Sequence, residues 1–261
     1  MNEISQRSFD VLSDGVENQL LTAVERSDLR ERPFDHIYIE EAFERGTFDR
    51  LLATLPDRRY LHELRHSDAM RADGSSTRLR MYLYPELLWR LPARQRAIWL
   101  PLAKALCSKS LEGAFKDKFR SSLEARFRKP AEKIRLYPIP ILLRDQPGYR
   151  IAVHSDALSK AITAQFYFPV DSSKSHLGTV FHEGESGPAA ERTTRMPFMP
   201  ASGYAFPVSA TKSWHSAATT TAEDGERVSV MVTYYVAEGV SGWLKYRWRR
   251  AKLLVGLHPP G

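Results

Sequence analysis

His154-Ser155-Asp156 closes a short apolar run, and His215 stands ahead of the last strong β-type run in the chain, Arg227 to Val236. In extended chain, residues i and i+2 point to the same side. His154 and Asp156 can therefore offer an imidazole and a carboxylate to one point, and His215 can add a second imidazole from a neighbouring strand. Two imidazoles and one carboxylate on one face leave three coordination positions open, which suits non-heme Fe(II) and oxygen chemistry; zinc with the same donors is the alternative. The tripeptide also occurs as His66-Ser67-Asp68, inside the charged stretch Leu61 to Arg80. No strand pattern follows it there, and on that context it is set aside as the metal site.

A second chemical signal begins the last β run. Arg227 and Ser229 share one strand face, where a guanidinium and a hydroxyl can hold a carboxylate by a bidentate pair plus one hydrogen bond. Val228, Val230 and Val232 occupy the other face. Cys107 is the only cysteine, so an intrachain disulfide, a thiolate zinc cluster and a CxxC redox pair are excluded, and metal ligands are sought among histidines and carboxylates. The lone cysteine fits a reducing compartment. With no cationic and apolar leader in Met1 to Leu21, the expectation is a cytoplasmic protein.

Elements must position these groups. The texture changes near Pro130. Before it, apolar residues follow helical spacing: Phe48, Leu51, Leu52 and Leu55 line one face, and Leu111, Ala114, Phe115, Phe119, Leu123 and Phe127 another. His36 to Ile39 reads as a strand. After it come short β runs at Ile134 to Leu143, Tyr149 to Val153, Ala161 to Val170, Leu177 to Phe181, Gly203 to Pro207 and Arg227 to Val236. Gly184 to Thr194 reads as a loop. Helices followed by strands, without βαβ alternation, predict an α+β fold: an antiparallel β barrel or sandwich with helices packed outside. With 261 residues and 43% hydrophobic content, the chain reads as one domain: 1–130 mainly helical wrapping, 131–238 the β core, 239–261 a basic aromatic tail.

The set His154-x-Asp156, His215 and Arg227-x-Ser229 resembles the Fe(II)- and 2-oxoglutarate-dependent dioxygenases, prolyl-hydroxylase-like branch. The resemblance covers about Ile134 to Val236 and implies a double-stranded β-helix, or jelly-roll, core. It implies iron on His154, Asp156 and His215, and the far carboxylate of 2-oxoglutarate on Arg227 and Ser229. Thr163, Gln165 and Tyr167 fall on one face of the strand that touches the cosubstrate in that family, and Tyr137 is a further candidate. The family's Gly-Gly-x-Leu strand is only approximated by Leu177-Gly178-Thr179-Val180. The implied reaction uses O2 and converts 2-oxoglutarate to succinate and CO2 while hydroxylating a C–H bond.

The same residues trim the family. Asp156 occupies the position that halogenating relatives leave to a small residue, so hydroxylation is favoured. Nucleic-acid demethylases of the family carry a second arginine six positions after the first; Thr233 stands there. The net charge of +7 thus loses its simplest link to nucleic acid. Zinc hydrolysis calls for a general base beside the metal, and no glutamate is placed for it. Cations gather at Lys245, Arg247, Arg249, Arg250 and Lys252 among Trp243, Tyr246 and Trp248, a pattern shared by docked amphipathic helices and by helices lying on anionic membranes. Arg78 and Arg80 alternate around Leu79 and are candidates to hold an acidic substrate. The expected substrate is a small polar metabolite or a glycan or lipid precursor. A protein or peptide side chain is the first alternative, with an open groove as its mark, and a catalytically silent binding module is the second. The oligomeric state is not readable.

Overall fold

A computed structural model describes residues 3–65, 67–184, 192–237, 239–254 and 256. His66 and most of the loop expected at Gly184 to Thr194 (residues 185–191) lie outside the described residues; the end of that loop belongs to a strand, Thr193–Met196.

Eleven strands and six α-helices are described. The strands are β1 (Ile37–Ile39), β2 (His62–Glu63), β3 (Arg78–Tyr82), β4 (Leu136–Asp145), β5 (Ile151–His154), β6 (Lys160–Tyr167), β7 (Thr179–His182), β8 (Thr193–Met196), β9 (Gly203–Pro207), β10 (His215–Ala217) and β11 (Arg227–Val236). The helices are α1 (Glu3–Arg26), α2 (Arg45–Ala53), α3 (Ala93–Leu106), α4 (Lys109–Lys118), α5 (Arg120–Phe127) and α6 (Gly239–Leu254). They form two antiparallel sheets: a seven-stranded one in the order β1-β9-β6-β11-β4-β3-β2, and a four-stranded one in the order β5-β10-β7-β8. This is an α+β double-stranded β-helix with the helices outside, as expected.

The large sheet has two differently composed faces because side chains alternate across a strand. Val228, Val230, Val232 and Tyr234 of β11, with Ala164 and Phe166 of β6, are buried against the helices in one core that includes Trp99, Leu102, Leu106, Phe115 and Phe119. Arg227, Ser229, Met231 and Tyr235 of β11 and Thr163 and Gln165 of β6 project to the other side, toward the small sheet. Burial of the aliphatic face, at roughly 1.5–3 kcal/mol per fully buried large side chain, is what fixes the register that points the polar face inward.

Several elements differ from the sequence reading. The N-terminal part is more than wrapping: β1, β2 and β3 extend the large sheet at its two edges. β3 begins inside the stretch read as charged and runs two residues past it, its signal reduced to Leu79 and Met81 against the core. The apolar face Leu111 to Phe127 is two helices, because Phe119 leaves helical geometry at φ −108° and ψ 24° and turns the chain so that Phe115, Phe119 and Leu123 all stay buried. α1 packs Val16, Leu20 and Val24 onto the core at four-residue spacing, a stripe too short to stand out. Among the described residues no helix is long and apolar enough to cross a membrane.

α6 answers where the basic tail goes. Leu253 is buried and Tyr246 stacks on Tyr137, ring centroids 4.3 Å apart, while Arg250 pairs with Glu86. Trp243, Leu244 and Trp248 remain on the outer face, 50%, 53% and 66% exposed. The helix thus docks by one stripe and leaves a second in solvent.

Candidate metal centre

β10 lies between β5 and β7, and its register sets His215 directly opposite His154. The two imidazoles face each other with centroids 4.2 Å apart. Asp156 follows β5 by two residues and turns its carboxylate to the same point. One ligand atom from each of the three lies within 4.8 Å of the others.

The hydrogen bonds of the two histidines decide which nitrogen is available. His154 Nδ1 lies 3.0 Å from the Ala152 carbonyl oxygen, and His215 Nδ1 lies 3.0 Å from the Ser213 carbonyl oxygen. A carbonyl only accepts, so each Nδ1 carries the proton and donates it, leaving the Nε2 lone pair for a metal. Burial pushes the His215 imidazole down to about 4, with the neighbouring His154 adding to the fall and Asp156 opposing it. Burial would raise the Asp156 carboxyl, but the Lys160 ammonium, His215 and hydrogen bonds from Lys160 and Thr163 outweigh it and bring it to about 2. Both groups are thus in their ligating forms at neutral pH, which metal binding requires. The donor set fits a facial metal site.

The three donors border a cavity of about 400 Å³, within the range of small-molecule sites. At one end of the inner face a row of charges crosses three adjacent strands. Asp145 of β4 is the register partner of both Arg78 of β3 and Arg227 of β11. Arg78 donates to both carboxylate oxygens at 2.6 and 3.1 Å, and Arg227 Nη1 donates to Oδ2 at 2.9 Å. Arg227 also donates to the Leu177 carbonyl at 2.8 Å and lies over the Tyr167 ring at 5.2 Å. The side chains of Asp145, Arg227 and Arg78 are only 0%, 1% and 11% exposed. Burial pulls both guanidiniums down, but Asp145 and nearby phenols outweigh it and hold them above the usual arginine value. Two cations around one carboxylate leave the row with a net single positive charge, buried and facing the cavity.

The neighbouring groups form one polar chain. Gln165 donates to Ser229 Oγ at 2.6 Å, Tyr204 donates to Gln165 Oε1 at 2.6 Å, and Thr179 links Tyr204 to Tyr167 at 3.1 and 3.0 Å. The inner face therefore brings together His154, Asp156, His215, Arg227, Ser229, Thr163 and Gln165. Arg78 and Arg80 both border the cavity. Tyr167 sits behind this wall, bonded to Thr179 and stacked under Arg227.

Tyr137 is a correction. It shares the inward face of β4 with Ile139 and Ile141, but the strand runs on past the cavity, and at its end α6 covers the ring. Its ring lies outside the lining of the cavity. Arg78 is committed to Asp145 and belongs with Arg227 rather than beside Arg80. Asp145, Lys160, Thr179, Tyr204 and Arg249 also line or support the site and were not singled out from sequence; for Asp145 the strand alternation from Leu143 was the available signal. Gly178, the one glycine of Leu177-Gly178-Thr179-Val180, is needed for a local reason: a Cβ there would meet the Met196 carbonyl oxygen at 1.8 Å. Asp68, from the discarded tripeptide, borders the cavity but not the metal point.

No protein-family model matches the sequence, and no curated relative does. Solved structures do. A rice dioxygenase for auxin oxidation aligns with a TM-score of 0.51 at 15% identity, covering 85% of this chain and 86% of that one. The non-heme α-ketoglutarate-dependent epimerase of nogalamycin biosynthesis aligns with a TM-score of 0.50 at 13% identity, covering 85% and 81%. A prolyl hydroxylase from Trichoplax adhaerens aligns at 0.49 and 11% identity, covering 90% and 94%. At such identities the first two likenesses speak for the fold alone. This chain has the double-stranded β-helix fold of the 2-oxoglutarate- and iron-dependent oxygenases.

Proposed function

We propose that the protein is an Fe(II)- and 2-oxoglutarate-dependent dioxygenase that hydroxylates a C–H bond of a small, polar, acidic metabolite or a glycan or lipid precursor. The observation that carries this reading is the convergence of His154, Asp156 and His215, with both Nε2 atoms released by backbone bonds to Nδ1, on a cavity whose opposite feature is a buried row with excess positive charge. Iron with 2-oxoglutarate and O2 supplies oxidative decarboxylation to succinate and CO2 together with the oxidising power for hydroxylation.

The protein's own part is to bind, orient and shield. His154, Asp156 and His215 would hold the metal, and a set of three protein donors would leave coordination positions open to small ligands. The Arg78-Asp145-Arg227 row supplies the positive charge for the distal carboxylate of 2-oxoglutarate. Ser229, which accepts from Gln165, keeps its own hydroxyl proton to donate to that carboxylate. Lys160 and Thr163 hold Asp156 in one orientation, as outer partners of metal ligands do.

A cavity walled by β3, β4, β6, β11 and α6 supports a small substrate over a peptide, for which an open groove was the expected mark. The intact ligand set speaks against a silent binding module. Purified iron-loaded protein should release succinate from 2-oxoglutarate when a panel of small acidic and neutral metabolites is screened under air. Succinate release dependent on one compound, with that compound gaining one oxygen, is the expected result. Metal-dependent turnover without any consumption of 2-oxoglutarate would overturn the reading.

A further inference from the structure

α6 has two working faces, and the docked one accounts for only half of its apolar residues. At 3.6 residues per turn, Tyr246, Arg249, Arg250 and Leu253 fall together on the side that meets the rest of the fold. Trp243, Leu244, Trp248, Ala251 and Leu254 fall together on the other side, and all five are exposed. Two indoles and two leucines in water on one helix make a continuous apolar stripe, the kind of surface that marks an interaction site.

The charges on that side are of one sign. The segment Gly239–Leu254 contains no aspartate or glutamate, and the exposed Lys245, Arg247 and Lys252 lie in and beside the stripe. The Arg247 guanidinium lies over the Trp243 ring at 4.8 Å, and the Lys252 ammonium lies over the Trp248 ring at 5.5 Å. Each pair joins residues one turn apart. A third exposed indole, Trp89, stands at the end of the helix: its ring lies 5.7 Å from the Arg90 guanidinium, which donates to the Leu254 carbonyl oxygen at 2.9 Å.

This composition matches the headgroup layer of an anionic bilayer. Indoles and leucines enter the boundary with the acyl chains, while the long lysine and arginine stems let their charges reach the phosphates. The negative potential of such a surface attracts every cation on this face. A second copy of the chain fits worse, because a two-fold contact would set Lys245, Arg247 and Lys252 against the same cations of the other copy. A protein partner fits worse as well, since the centre of a protein interface is depleted of lysine.

We propose that the outer face of α6, with Trp89 at its end, is a docking surface for an anionic lipid bilayer, on which the helix lies in the interface plane. The docked stripe, through Tyr246, Leu253 and the Arg250–Glu86 pair, fixes the helix to the fold and so presents the outer stripe as a rigid surface. The surface needs neither metal nor cosubstrate and stands apart from the oxygenase reading.

The test is co-sedimentation of the full-length protein with vesicles of equal parts phosphatidylcholine and phosphatidylglycerol and, separately, with vesicles of phosphatidylcholine alone. The wild type is compared with a Trp243→Ser, Trp248→Ser double variant and a Lys245→Gln, Arg247→Gln, Lys252→Gln triple variant. All five side chains are exposed, so both variants are expected to fold, and circular dichroism checks this. The wild type should partition at least tenfold more strongly to the anionic vesicles, and each variant should lose at least tenfold of that binding. Binding should also weaken as salt rises from about 0.1 M to about 1 M, where the screening length shrinks from about 10 Å to about 3 Å. Tryptophan emission should shift to the blue on binding, and the double variant should lose the shift. Failure of the wild type to bind anionic vesicles, equal binding to neutral ones, or binding unchanged in either variant overturns the proposal. The wild-type comparison of the two vesicles needs no variant. Sedimentation equilibrium without lipid supplies the competing outcome: a dimer formed by the wild type and lost in the double variant overturns the proposal by assigning the face to a second copy.

Discussion

Asp145→Asn isolates the charge row that the cosubstrate reading depends on. Asn keeps the volume of Asp, so the substitution opens no cavity and changes mainly charge and hydrogen-bonding capacity. In the wild type the row sums to one positive charge, two guanidiniums against one carboxylate. In the variant it sums to two, with nothing to offset them, and the side chains involved are between 0% and 11% exposed. Removing one partner of a buried ion pair costs about 3–5 kcal/mol. At roughly 2–4 °C per kcal/mol for a chain of this size, the unfolding midpoint should fall by roughly 6–20 °C. Urea and thermal unfolding followed by circular dichroism measure this, with Asp49→Asn as a control. Asp49 belongs to a surface pair with Arg45, and such pairs contribute about 0–1 kcal/mol. Adding 2-oxoglutarate should recover more stability in Asp145→Asn than in wild type, because its carboxylate replaces the lost charge and ligand binding to the native state stabilises it. An Asp145→Asn protein within about 1 kcal/mol of wild type would refute the claim that the row is a desolvated charge cluster.

Arg227→Ala should raise the 2-oxoglutarate requirement at least tenfold while metal binding stays as in wild type; an unchanged requirement would assign the carboxylate to another residue. Gly178→Ala should destabilise by more than the usual 1–3 kcal/mol of an overpacked core, because the added methyl meets a backbone carbonyl at 1.8 Å and the strand must move; urea denaturation checks it. The metal-free protein should also show a pH signature of His215. Its folded-state value lies below the unfolded one, at about 4, so the unfolded chain takes up the proton first as pH falls from about 6.5. Stability should therefore drop by an amount on the order of 3 kcal/mol between pH 6.5 and 4, and His215→Gln should lose that part of the slope; an identical slope in the variant would show that His215 is not held neutral by burial.

The candidate metal ligands were legible because a two-residue strand period and the position of a histidine ahead of a β run are local signals. The same period placed Arg227, Ser229, Thr163 and Gln165 on one face, although only the second sheet shows that this face is inward. Tyr137 misled because the period says which side of β4 a residue faces and not where along the strand the cavity ends. Asp145 was passed over beside the Gln146-Pro147-Gly148 turn, since pairing with Arg78 and Arg227 arises only when β3, β4 and β11 lie in register. β3 itself hid because two of its five residues are arginines: their alternation around Leu79 offered a pair facing a cleft, without an apolar pattern to mark the strand that carries them. Arg249 joined the cavity through a helix whose sequence pattern is shared by docked and membrane-lying helices and does not say which cation faces a cavity. What local patterns could not supply were these long-range pairings, each made by tertiary packing.

Anaerobic titration of the apo-protein with Fe(II) and 2-oxoglutarate tests the central claim most directly. The account predicts one tight ternary site, seen as the visible charge-transfer absorption of a 2-oxo acid chelated to Fe(II), formed by wild type and lost in both Asp156→Ala and His215→Ala. Failure of wild type to form it, or its persistence in both variants, would contradict the account.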